Sequence, residues 1–99
     1  MYKQKRTAVV YAKQRKSLEI MGENLKLAAK RRQLTQQILS DRTGLSRVTI
    51  GKIFSGDPSV SMGHYLSILS VLKLNEDIER VAADDEFGRK LVDIKLLKG

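Results

Sequence analysis

The chain has 99 residues with 41% hydrophobic and 30% charged side chains, the composition of a single globular domain with one small core. It contains no cysteine and no tryptophan, which removes disulfides, thiolate metal sites and cysteine nucleophiles and leaves the core to Leu, Ile, Val and Ala. A formal net charge of +8 favours a polyanionic partner, and no apolar run approaches the roughly 18 residues of a membrane span.

The charge is unevenly placed. The first 34 residues hold ten basic side chains against Glu19 and Glu23, whereas the remaining 65 residues are balanced. Residues 1–16 carry basic clusters on either side of a short segment, 7–12, rich in β-branched side chains. Such a segment fits a flexible basic arm, a strand added to a partner, or an extension of the helix that follows. The basic start lacks an apolar run followed by a small-residue cleavage site, so no signal peptide is expected and a reducing cytoplasm suits the chain.

From Ser17 the spacing of Leu18, Met21, Leu25 and Ala28 or Ala29 predicts a first helix ending near Arg32 or Gln33. Basic residues in its last turn complement the helix dipole, and Lys30, Arg31 and Arg32 become candidates for contact with a nucleic-acid backbone. Thr35 reads as the N-cap of a short second helix, Gln36 to about Thr43, with Ile38 and Leu39 facing inward. Gly44 ends it. Ser46 then caps a third helix, Arg47 to Ser55, whose Ile50 and Ile53 face the core, with Gly56 in the left-handed position after its end.

Ser61 caps a fourth helix through about Leu72, with Tyr65, Leu66, Leu69 and Leu72 on one stripe. Asn75 or Glu76 opens a fifth helix to Ala83. The tail, residues 84–99, fits an amphipathic helix through Phe87, Leu91, Ile94 and Leu97, or a strand through Val92, Ile94 and Leu96. The expected organisation is a basic N-terminal arm at 1–16, a helical domain at 17–83 and a C-terminal tail at 84–99 for dimerisation or partner binding.

Residues 35–56 carry the functional signal. Two short helices meet at a turn of Gly44, Leu45 and Ser46, and Ser40, four residues before the glycine, is small enough for a close crossing. This spacing is that of a helix-turn-helix. Its second helix presents Arg47, Val48, Thr49 and Lys52 opposite Ile50 and Ile53, residue types that read base edges and hold phosphates.

The stretch from Met21 to Leu74 resembles the XRE (Cro/CI-type) helix-turn-helix family. Gly22, Leu25, Arg32, Leu34, Thr35, Gln36, Leu39, Gly44, Leu45, Ser46, Ile50, Gly56 and Leu72 carry the resemblance. It implies an all-α, lambda-repressor-like bundle of five or six short helices. It also implies that Gln36 touches phosphate or a base edge, and that Ser46, Arg47, Val48, Thr49 and Lys52 make the recognition contacts. The sequence departs from the pattern at Ala29 and Phe54, where members often hold a buried arginine opposite a glutamate. Both partners are replaced together, which strands no charge and places Phe54 in the core.

A second resemblance, to HipB-type antitoxins, rests on GDPSVSMGHYLSIL after the third helix, followed by ADDEFGRKLVD at the start of the tail. It implies autoregulation of an operon and a HipA-like kinase toxin as partner, the alternative being a stand-alone or phage-type repressor. In either case the reading is of a homodimer on a near-palindromic operator in double-stranded DNA, joined through Val81, Phe87, Leu91 and Ile94. No catalysis, metal or cofactor is expected: His64 is the only histidine, the acidic cluster 84–86 suits a helix N-terminus, and Gly22 and Gly51 form no phosphate loop.

Overall fold

The computed structural model describes residues 8–98, so the first seven residues of the basic segment and Gly99 lie outside it. It is all-helical: α1 Ala12–Arg31, α2 Gln36–Thr43, α3 Arg47–Phe54, α4 Met62–Leu72, α5 Asn75–Glu79 and α6 Glu86–Lys98. Among the described residues none is a strand, and no helix is long and apolar enough to cross a membrane.

The packed body is α1–α5. Helices α1 and α2 each pack on both α3 and α4, and α5 packs on α4. Leu39, Ile50, Ile53, Ile68 and Leu72 are the large side chains wholly enclosed at the centre. Burying each contributes about 1.5–3 kcal/mol before the cost of ordering the chain is subtracted.

Helix α1 begins at Ala12, five residues before the apolar periodicity starts. Its first turn and a half is fully exposed, so no apolar pattern marks it. What starts the helix is local: the Tyr11 N–H donates to Gln14 Oε1 at 2.9 Å, and Ala12 to Lys16 are strong helix formers. Of the three alternatives for the basic segment, residues 12–16 take the helical extension.

The α1–α3 crossing is unusually close. A Cβ on Gly22 would lie 2.7 Å from Gly56 N, Ile53 O and Phe54 O, and one on Gly56 would lie 2.6 Å from Glu19 N. Gly56 also needs its positive φ of 73° to turn the chain out of α3. Two glycines thus let the backbones of α1 and α3 approach without side chains between them.

Two expectations change at the side-chain level. On α4 the buried stripe is Tyr65, Ile68, Leu69 and Leu72, while Leu66 is 39% exposed. Positions i, i+3, i+4 and i+7 share one face of a helix, and i+1 points about 100° away. Phe54 packs against the core but stays half-buried, in a hollow shared with Ala29, Lys26 and Lys30. Helix α5 stops at Glu79 rather than at Ala83, because a turn follows in which Ala82 adopts a positive φ of 61°.

The corner between α3 and α4 is pinned by Tyr65, whose hydroxyl donates to Asp57 O at 2.9 Å. Burial, and then the nearby Asp57 carboxylate, raise the Tyr65 pKa above its usual 10.0. A raised folded-state pKa means that this contribution is complete below the unfolded value and is lost as pH rises through the folded one. Tyr65→Phe should lower stability by about 1 kcal/mol at neutral pH. Thermal melts of the two proteins should then converge above about pH 10, and a constant gap across that range would contradict the assignment.

Candidate nucleic-acid interface

The α2–α3 unit is built by local capping. Thr35 Oγ1 accepts from Ile38 N at 3.1 Å, which starts α2, and Gly44, at φ 77°, closes it with its N–H donating to Ser40 O. Ser40 does more than leave room, because its hydroxyl donates to Leu45 O at 2.6 Å and ties the end of α2 to the turn. Thr43 Oγ1 accepts from Leu45 N at 3.1 Å. Each of these bonds satisfies a backbone group that the turn would otherwise leave unpaired.

Ser46 starts α3. Its Oγ accepts from Thr49 N at 3.1 Å and donates to Thr49 Oγ1 at 3.0 Å. The hydroxyls of Ser46 and Thr49 therefore lie together at the helix N-terminus, where unpaired N–H groups favour an anion. Ile50 and Ile53 are wholly enclosed beneath them, which fixes the opposite face outward. Arg47 and Lys52 are exposed, and Val48 is 70% exposed.

Gln36, exposed at the first position of α2, lies across α3: its Nε2 is 3.8 Å from where a Cβ on Gly51 would stand. Lys26, Lys30 and Gln33 line the same hollow as Gln36. Of the three basic candidates at the end of α1, the structure brings Lys30 to this surface. Arg32 turns back, with Nη1 donating to Ala28 O at 3.1 Å as a cap on its own helix, and Arg31 does not line the hollow.

A second cationic group lies at the other end of α3. The Asp57 pKa is lowered first by the Ser59 N–H, which donates to Oδ1 at 2.8 Å, and by the Ser59 side chain, then by the positive charges of Lys52 and Arg15. Both positive charges therefore act on the Asp57 carboxylate. Sequence reading missed Lys26 in the hollow beside Gln36 and the charge of Arg15 acting on Asp57. Lys26 sits one turn before Lys30 and is recoverable from helical spacing, whereas Arg15 becomes visible only once α1 is seen to extend to Ala12.

Taken together, the outward side of α3 and the start of α2 carry Gln36, Ser46, Arg47, Val48 and Lys52 exposed and Thr49 partly exposed. Lys26 and Lys30 flank this face beside Gln36. A helix-turn-helix family model of the XRE type matches residues 25–78, more than half of the chain. The chain belongs to that family. It is a DNA-binding regulator of XRE type, a class that is generally not enzymatic. No curated protein matches it significantly.

The XRE match begins at Leu25 and ends at Ile78, so it covers the end of α1, all of α2–α4 and most of α5. Helix α6, with Phe87, Leu91 and Ile94, lies beyond it. No side chain of α6 is buried, and Phe87, Leu91, Ile94 and the preceding Val81 are each at least half exposed. The tail is thus helical, and its four candidate contact residues are accessible.

Proposed function

We propose that this XRE-type protein is a sequence-specific transcriptional repressor that binds a near-palindromic operator as a homodimer. The observation that carries the reading is the sidedness of α3. Ile50 and Ile53 are fully enclosed, while Arg47, Val48 and Lys52 stand exposed beside Gln36. In this reading Arg47, Val48 and Thr49 read base edges in the major groove, and Gln36, Ser46, Lys52 and Lys30 hold phosphates on either side. Two copies reading half-sites one helical turn apart supply the specificity that one short helix lacks.

A footprint of the purified chain on the DNA upstream of its own gene tests this proposal. Two protected half-sites centred about 34 Å apart, one helical turn, are expected. Uniform protection at all sequences would reduce the protein to a non-specific DNA binder.

A second reading adds an antitoxin role with a HipA-like kinase toxin as partner. The exposed apolar side chains of α6 support it, since a large bare apolar patch usually marks a contact surface. Co-purification of the full chain with a kinase encoded beside it, lost when the chain is cut after Ala83, is the expected outcome. Capture that survives the truncation would move the toxin surface to the DNA-binding domain.

A further inference from the structure

An apolar groove runs along the side of the bundle, bordered by Met21 of α1, Met62 and Leu69 of α4, Ile78 of α5 and Val81 just beyond it, with Ala8 and Val10 of the segment before α1 also on its lining. Met62 and Val81 are 72% and 73% exposed. The same chain carries an apolar helix with no seat. Phe87, Leu91 and Ile94 of α6 share one stripe at helical spacing, and the 13-residue α6 buries none of its side chains. A helix of that length is marginal in water unless its apolar face is covered.

The edges of the two features are complementary in charge. Asp77 lines the groove, with Glu76 and Glu79 beside it on α5. The α6 stripe is edged by Lys90, Lys95 and Lys98. Within the chain Arg80 already bridges Glu76 at 3.7 Å and Asp77 at 3.4 Å, and Lys90 bridges Glu86 at 3.2 Å; these pairs are exposed, and such pairs exchange partners easily.

Helix α6 packs too little on the body to bury any of its side chains, and its start is held by local contacts. Asp85 Oδ1 accepts from Gly88 N at 3.0 Å, and Arg89 pairs with Asp84 at 2.9 Å. The Cα radius of gyration is correspondingly 17.5 Å, where a compact chain of about 100 residues measures about 13 Å. A groove and a helix that complement each other but do not meet within one chain are what a reciprocal exchange between two copies requires.

We propose that α6 of one copy seats its Phe87–Leu91–Ile94 stripe in the α1–α4–α5 groove of a second copy, and receives that copy's α6 in return. The proposal rests on the homodimer put forward above and names the surfaces that join it. It assigns a role to Met21, Met62, Leu69 and Ile78 as the receiving side, and to Asp77 as a partner for the lysines of the incoming helix.

The natural chain has no cysteine, so cross-linking can be read without background. In the full-length chain, Met62→Cys and Leu91→Cys replace two exposed side chains, and a short bis-maleimide tests their proximity. The double variant should run as a covalent dimer on a denaturing gel, and an equal mixture of the two single variants should yield a covalent heterodimer. A link closed within one chain would place α6 on its own groove and overturn the proposal. So would a dimer formed by Leu91→Cys alone, the signature of α6 pairing with α6, or the absence of any link. A duplex-DNA titration of the unmodified chain, run alongside, reports on DNA binding whatever the gel shows, so failure of the exchange is distinguishable from failure of the repressor reading.

Discussion

Gly22→Ala should destabilise the bundle by about 3 kcal/mol, although the same change in an open helix gains up to ~1 kcal/mol. The reversal comes from what the new methyl would meet. All three nearest atoms, Gly56 N, Ile53 O and Phe54 O, are backbone at 2.7 Å and cannot rotate aside. Relief requires α1 to lift from α3, opening space against the enclosed Ile53. Gly51→Ala supplies the contrast: the only nearby atom is Gln36 Nε2 at 3.8 Å, so the helix-propensity gain should survive. Urea unfolding of both variants measures the difference. A midpoint for Gly22→Ala at or above that of the natural chain would show that the α1–α3 crossing is looser than described.

Arg47→Ala should cost about 1–3 kcal/mol on the preferred duplex, roughly a 5- to 150-fold loss, and relax the preference at one base pair. Arg47 stands at the first position of α3, exposed, among the capping hydroxyls of Ser46 and Thr49. That is the end of the helix that enters the groove. Lys52→Ala should behave differently, because Lys52 sits at the far end of α3, where its carbonyl accepts from Asp57 N at 2.9 Å. Its loss should weaken all sequences about equally and lower the salt slope by about one. Equal sequence-independent losses for both variants, measured by competition with single-base variants of the duplex, would remove Arg47 from direct readout.

The second and third helices were legible because short helices announce their ends. Thr35, Gly44, Ser46 and Gly56 are cap residues at the required spacing, and the structure uses every one of them as a cap or a turn. The start of α1 was not legible, since an exposed helix has no apolar face to reveal its period. The ends of α1 and α4 fall where the spacing puts them, at Arg31 and Leu72, although Gln33 and Lys73 just beyond adopt positive φ values of 56° and 61° without being glycine.

At the site, sequence spacing separates inward Ile50 and Ile53 from outward Arg47 and Val48. It does not bring Lys26, Lys30 and Gln36 into one hollow, because that meeting depends on how α1 crosses the other helices. Phe54 illustrates the same limit. Replacing the usual ion pair by Ala29 and Phe54 leaves the aromatic ring half-buried beside Lys26 and Lys30. Phe54→Glu would therefore find lysines nearby, and its cost falls below that of a carboxylate buried in a closed core.

The central claim is that the α2–α3 face binds DNA through its exposed bases. Titrating the full chain against its footprinted duplex between about 50 and 200 mM salt tests it most directly, since a dimer neutralising roughly 6–10 phosphates should lose about a thousandfold or more in affinity over that range. A linear fall of log affinity with log salt, made shallower by Lys52→Ala, is the predicted result. An affinity that stays flat across the same range would contradict the account.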